Sequence, residues 1–121
     1  PILRTLELAR VLASVPSRGR RRIHPATRTF QALRIAVNRE IEELRSGLPA
    51  VASRLAPGGR FGVIAFHSLE DREVKRFFRA GTAQGRFRLV TKRPIRPAPG
   101  EVSRNRRSRS ARLRLVEVVA A

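Results

Sequence analysis

The sequence predicts an α/β domain, and an incomplete one. Residues 61–66, "FGVIAF", form a short apolar run between the turn "APGG" and the charged stretch "HSLEDR". A run of that length with those boundaries reads as a strand buried on both faces, as in a parallel sheet. One helical pattern leads into it and another leaves it, which makes a βα unit with its incoming helix. Two further strand-like segments, 87–91 "FRLVT" and 112–119 "RLRLVEVV", bring the sheet to three strands at most. A parallel strand without a parallel neighbour leaves its ladder groups unpaired. The chain is therefore expected to be the back half of a larger α/β domain, and Pro1 in place of Met agrees with that expectation.

Taken in order, residues 2–15 read as a helix with apolar Leu3, Leu6, Leu8, Leu12 and Val15, stopped by Pro16. Residues 17–23, "SRGRRRI", are a basic loop, either a solvated linker or a phosphate contact. The clearest helix opens at His24-Pro25-Ala26-Thr27, with Thr27 as N-cap. Phe30, Leu33, Val37, Ile41, Leu44 and Leu48 follow at steps of 3, 4, 4, 3 and 4, one continuous stripe. Beside it runs a polar row of Gln31, Arg34, Asn38, Glu42 and Arg45. That row is either a solvated flank with pairs such as Arg39–Glu43 or the wall of a cleft.

Gly47 and Pro49 predict a break, with a short helix over 50–56. After the strand, Ser68 can cap the next helix, with Asp71 completing an acidic capping box. Glu70, Asp71 and Glu73 load its first turn, Lys75, Arg76 and Arg79 its last, and Gly81 ends it. Residues 92–111 form a long loop with three prolines and six arginines, a length that is often functional or disordered.

The charge narrows the partners. Twenty-seven Lys and Arg face nine Asp and Glu, a net charge of +18, and twenty-five of the 27 are Arg. Planar guanidinium groups favour bidentate contact with phosphate, so nucleic acid is the first candidate partner. There is no Cys and only two His, so no disulfide framework and no Cys- or His-rich metal site is expected. No apolar run reaches the length of a spanning helix and no signal peptide is visible, which predicts a cytoplasmic protein without membrane contact. No Gly-x-Gly-x-x-Gly, Walker loop or other Gly-rich phosphate cradle is present.

His67 and Ser68 sit where the strand ends and the helix begins. In open α/β sheets ligands bind beyond the carboxyl ends of strands, and helix N-termini favour anions. The join is thus either the lip of a site or a plain cap.

Four stretches carry a resemblance. "LAPGGRFGVIAF" is similar to the helix–turn–strand-five segment of many S-adenosylmethionine-dependent methyltransferases. "IHPATRTFQALRIAVNREIEEL", "FHSLEDREVKRFF" and "TKRPIRP" with "NRRSRSARLR", in this order, closely resemble the family of bacterial 16S rRNA cytosine-N4 methyltransferases. The likeness runs from about residue 2 to 118 and corresponds to the C-terminal portion of that family. It implies a class I, Rossmann-like methyltransferase fold with an inserted helical domain. Residues 1–22 would be the end of the insertion and its basic loop. Residues 23–121 would be the C-terminal part of the methyltransferase domain, with strand five at 61–66 and strands six and seven at 87–91 and 112–119.

The implied reaction is methyl transfer from S-adenosylmethionine to the exocyclic amine of one cytosine in the decoding region of 16S rRNA, with the small ribosomal subunit as partner. The family's Gly-rich cofactor loop and ribose-binding acid have no counterpart here, so no cofactor-binding residue is carried over and the chain alone is expected to be inactive. Arg106 stands where the family has proline in "N-P-R", and the segment after Gly81 is short. The candidates for a nucleotide pocket are Arg34, Asn38, His67 and Ser68. Those for RNA backbone contact are Arg20, Arg21, Arg22, Arg28, Arg104, Arg106, Arg107, Arg109 and Arg112. For Arg107 and Arg109, pairing with Glu70, Asp71 and Glu101 competes. A stand-alone RNA-binding or ribosome-associated module without catalysis is the alternative reading. The oligomeric state stays open, a homodimer included.

Overall fold

A computed structural model describes residues 1–16 and 23–119. The chain divides into two units, Pro1–Glu40 and Ile41–Ala121.

The first unit holds α1 (Thr5–Ser14) and α2 (Thr27–Asn38). Glu7 reaches back to the backbone N–H groups of Leu3 and Arg4 at 3.1 and 3.3 Å, which satisfies donors that an α-helix start leaves open. α2 starts one residue earlier than expected: Ala26 is its N-cap and Thr27 is already helical. No side chain caps the helix; just ahead of it, His24 Nδ1 accepts the N–H of the N-cap residue Ala26 at 3.2 Å. Neither helix buries a residue fully.

The predicted continuous helix from Thr27 is interrupted. Arg39 takes the left-handed conformation, φ 53° and ψ 34°, and α3 (Glu40–Ala52) begins after it. Conversely, the break expected at Gly47 and Pro49 is absent, since α3 runs through both. Pro49 leaves the Arg45 carbonyl without its i+4 donor, and the helix still continues to Ala52.

The second unit is built on three strands, β1 (Arg60–Ala65), β2 (Phe87–Leu89) and β3 (Arg112–Val118), in the order β1-β3-β2. Both outer strands pair antiparallel with β3, Arg60 opposite Glu117 through Ala65 opposite Arg112, and Phe87 opposite Val118. The strand-like segments at 87–91 and 112–119 thus pair with each other, and β3 also supplies the ladder partner of β1. The expectation that 61–66 is buried on both faces is not met within this chain: β1 alternates, with Phe61 and Ala65 buried and Ile64 exposed.

α4 (Ser68–Ala83) lies on the buried face. Val74 and Phe78 join Leu48, Phe61, Phe87, Val116 and Val118 in the core. Phe78 meets Phe61 and Phe87 edge to face, at 5.5 and 6.0 Å between ring centres. Gly81 does not end this helix. It is buried inside it, and a Cβ there would fall within the Phe87 ring. The chain turns at Gly85 instead, φ +72°, a conformation glycine adopts without strain.

The long segment after β2 is ordered. Ile95 bridges to Leu113, then come α5 (Pro99–Arg104) and a 3₁₀ turn (Arg106–Ser110). Asn105 caps that turn by accepting the Arg107 N–H at 3.2 Å, and the buried Ser108 hydroxyl donates to the Asn105 carbonyl at 2.7 Å. No helix among the described residues is long and apolar enough to cross a membrane.

Candidate functional site

Strand alternation decides what meets the N-terminus of α4. In β3, Arg112, Arg114, Val116 and Val118 share the face that α4 covers, opposite Ala65, Val63 and Phe61. Two guanidinium groups are therefore turned inward, and Asp71 in the first turn of α4 receives both. Arg114 Nε and Nη2 donate to its two oxygens at 2.7 and 3.0 Å, and Arg112 Nη1 donates at 3.2 Å. The hydrogen bond from Arg114 holds the Asp71 carboxyl below its ordinary range, against the opposing effect of burial. Asp71 is thus not the partner of Ser68 in a capping box, and it is not paired with Arg107 or Arg109.

The cap sits one residue earlier. His67 is the N-cap of α4, and its Nδ1 accepts the Glu70 N–H at 3.3 Å. Glu70 reaches back to the Phe66 N–H at 2.9 Å and lies 3.5 Å from His67 Nε2. The His67 side chain is 6% exposed, whereas Ser68 is exposed as the first helical residue. The helix terminus that could receive an anion is answered by the protein's own His67 and Glu70.

A second pair of carboxylate contacts ties α3 to α4. Arg45 donates to both Glu73 oxygens at 2.9 Å, and Arg76 adds a bond at 2.8 Å. The Arg45 hydrogen bond is the main reason that the Glu73 carboxyl lies below its ordinary range.

The remaining candidates lie elsewhere. In the first unit Arg34 and Asn38 converge on Glu40: Arg34 Nε is 2.9 Å from Oε1, and the Asn38 amide donates at 3.4 Å. Arg34 also lines an open pocket of about 510 Å³ with Ala9, His24, Thr27, Phe30 and Gln31; Asn38 does not. Arg28 is exposed on α2, and Arg20, Arg21 and Arg22 lie outside the described residues. In the second unit Arg104, Arg106, Arg107 and Arg109 are exposed and have no carboxylate partner among the described residues. Arg106 and Arg109 line an open groove of about 810 Å³ together with Pro97, Pro99, Val102 and Ser103.

Sequence reasoning passed over His24, Phe30 and Gln31 as pocket residues. The signal was available. Thr27, Phe30, Gln31 and Arg34 stand at i, i+3, i+4 and i+7, one helix face that mixes an aromatic ring with polar groups.

The β1–α4 turn, Phe66-His67, has no glycine to admit a phosphate or ribose closely, and both acids beside it are engaged. The residues present do not fit S-adenosylmethionine at this terminus.

Comparison with known proteins gives a consistent result. Residues 1–119 match the model of the MraW methylase family. The chain is 53% identical to the ribosomal RNA small subunit methyltransferase H of Thermomicrobium roseum, covering 99% of this chain and 41% of that protein. It is 48% identical to the protein of the same name from Rhodospirillum centenum, covering 100% and 42%. The Koribacter versatilis relative is 52% identical, covering 94% and 37%. The chain spans about two-fifths of the length of the curated relatives it matches.

Proposed function

The chain belongs to the MraW methylase family, and from that premise we propose that it is the C-terminal part of an rRNA methyltransferase, with a class I methyltransferase fold. The substrate we infer is the exocyclic N4 amine of a cytosine in the decoding region of 16S rRNA. The methyl donor is S-adenosylmethionine, and the protein works in the cytoplasm on the small ribosomal subunit. In this reading β1, β2 and β3 correspond to strands five, six and seven. Residues 1–22 end an inserted helical domain.

The observation that carries the RNA contact is the set of four exposed arginines on α5 and the 3₁₀ turn with no carboxylate to neutralise them among the described residues. Structural arginines in this chain are paired: Arg45 with Glu73, Arg88 with Glu117, Arg114 with Asp71. Arg104, Arg106, Arg107 and Arg109 differ from these, on an ordered scaffold that holds them out. Fixed guanidinium groups of this kind position an RNA backbone rather than read its sequence. Arg28 and Arg20–Arg22 extend the same role. Arg112 keeps only part of its donor set, because Asp71 holds one nitrogen.

The donor supplies an electrophilic methyl group, and its site is assigned to the part of the relatives' length that this chain does not span. What this chain contributes is position. A cytosine amine is a weak nucleophile, because its lone pair is shared with the ring, and it must be held in line with the methyl group. In the second unit His67 and Ser68 are proposed to orient the nucleotide, and in the first unit Arg34 and Asn38 are proposed, independently, as nucleotide contacts.

The test is transfer of labelled methyl by the complete protein to small subunits lacking the modification, with the product base located by mass spectrometry. N4-methylcytosine in the decoding region is expected. Methyl on another base would overturn the substrate assignment. RNA binding without transfer would leave an RNA-binding module.

A further inference from the structure

The open pocket at the start of α2 has a composition that neither a core nor a solvated face explains. Its wall is one helix face, Thr27, Phe30, Gln31 and Arg34, and His24 closes the end. A core face at this spacing would be apolar throughout, and a solvated one would not keep a half-buried phenyl ring on an open cavity of about 510 Å³. That volume is within the usual range for small-ligand sites.

The polar groups are pre-set. His24 Nδ1 accepts the Ala26 N–H at 3.2 Å, so in the neutral ring Nε2 carries the proton and is a donor. The turn that holds it is closed by the Thr27 N–H donating to the His24 carbonyl at 3.0 Å. Arg34 is oriented by Glu40, which takes Nε and Nη2 at 2.9 and 3.3 Å and leaves Nη1 for a ligand. Gln31 offers an amide, with one donor side and one acceptor side, next to the Phe30 ring. No carboxylate among the described residues lines the pocket. Residues 1–40 carry nine arginines against two glutamates.

A flat ring to stack on, an amide to read a polar edge, an imidazole N–H and a guanidinium for a phosphate are the groups that hold an unstacked nucleotide. We infer that this pocket is a single-nucleotide subsite: the base lies against Phe30, its edge meets Gln31, and its phosphate or ribose meets Arg34 and His24. The inference rests on the RNA reading above and adds to it a site in the first unit, separate from the arginines of α5.

The experiment uses the complete protein and its Gln31→Ala and Phe30→Leu variants. Each of the four nucleoside monophosphates is titrated while the Gln31 side-chain amide and the His24 ring are followed by NMR. Binding of a single-stranded RNA oligonucleotide is measured in parallel. Saturable shifts at Gln31 and His24 are expected, with affinity about tenfold weaker in Phe30→Leu, the loss expected for one base–aromatic stack. Gln31→Ala is expected to weaken binding at an unchanged unfolding midpoint, which separates recognition from folding. Shifts absent at millimolar nucleotide, or equal affinity in all three proteins, would overturn the pocket. If the oligonucleotide still binds and is released only by changes at Arg106, Arg107 and Arg109, the pocket fails while the RNA reading stands. If no RNA binds at any salt concentration, both fail.

Discussion

Asp71 on α4 and Arg114 on β3, 43 residues apart, meet in a bidentate pair at 2.7 and 3.0 Å. Their side chains are 11% and 13% exposed, so neither charge is well hydrated. Two charges taken from water repay the desolvation only when geometry and remaining bonds are good. Here the fork matches the carboxylate, and Arg112 supplies a third bond. The pair also has a positional consequence. A one-residue slip of β3 would turn Arg112 and Arg114 to the opposite face along with Val116 and Val118. The ion pair and the core therefore demand the same register.

Asp71→Ala is expected to destabilise the fold by about 3 kcal/mol, because it leaves the mostly desolvated Arg114 and the half-buried Arg112 uncompensated. A double change of Asp71 and Arg114 to apolar residues is expected to cost less than the sum of the single changes. The pH dependence has a definite sign. The native carboxyls of Asp71 and Glu73 are both lowered, chiefly by hydrogen bonds from Arg114 and Arg45. The unfolded state therefore binds more protons, and stability rises with pH. The contribution is complete above the unfolded carboxyl value of about 4 and is lost as pH falls through the lowered native values. Urea midpoints measured from pH 7 down to pH 2 check this. In Asp71→Ala the acid slope should be shallower.

Two glycines should respond in opposite directions. At Gly81 a methyl group would overlap the Phe87 ring, so Gly81→Ala is expected to cost about 1–3 kcal/mol through overpacking. At Gly47, inside α3, nothing lies within 4 Å of an added Cβ. Gly47→Ala is expected to stabilise by about 0.4–1 kcal/mol, mainly through the unfolded chain. Denaturant unfolding of both variants decides the matter, and a Gly81→Ala protein as stable as the parent would refute the packing account.

The two glycines also mark where the sequence could be read and where it could not. The turn at residues 56–59, the strand after it and the helix after His67 were legible, because each carries local chemistry: turn residues, an apolar run, and acidic residues in a helix's first turn; the cap itself sits one residue earlier than expected, at His67 rather than Ser68. The end of α4 was not legible. Gly81 looks like a stop signal, but its glycine character answers a ring six residues later in the chain. The same holds for β3, where Arg112 reads as a candidate for RNA contact until Asp71 is seen between it and Arg114. Arg39 offered no signal at all, since an arginine in the left-handed region is not announced by its neighbours. The exposure of Arg104, Arg106, Arg107 and Arg109 was legible from the charge. Of the pocket, Arg34 was already a candidate, whereas Phe30 was absorbed into the apolar stripe, which hid the mixed face it shares with Thr27 and Gln31.

The arginines of the 3₁₀ turn should act on RNA and not on the fold. Arg106, Arg107 and Arg109 are exposed and without a carboxylate partner among the described residues, so their replacement by alanine should leave the unfolding midpoint within about 0.5 kcal/mol of the parent. Each phosphate of a single-stranded RNA that the variant no longer neutralises should reduce the slope of log affinity against log salt by about 0.7. Filter binding across a salt series measures it. An unchanged slope in the triple variant would remove this surface from the interface.

His67 can be separated into a structural and a chemical part. As N-cap of α4 it accepts the Glu70 N–H, so His67→Ala should cost about 1 kcal/mol. Asparagine is a strong N-cap residue, and His67→Asn should restore most of that stability. It cannot restore an imidazole. If His67 only caps, methyl transfer by the complete protein should follow stability, being lowered in the alanine variant and recovered in the asparagine variant. If the ring also orients the nucleotide, the asparagine variant should be as stable as the parent but slower at saturating RNA. Thermal unfolding and single-turnover transfer on the three proteins give both readouts from the same preparations, and the asparagine variant alone decides between them.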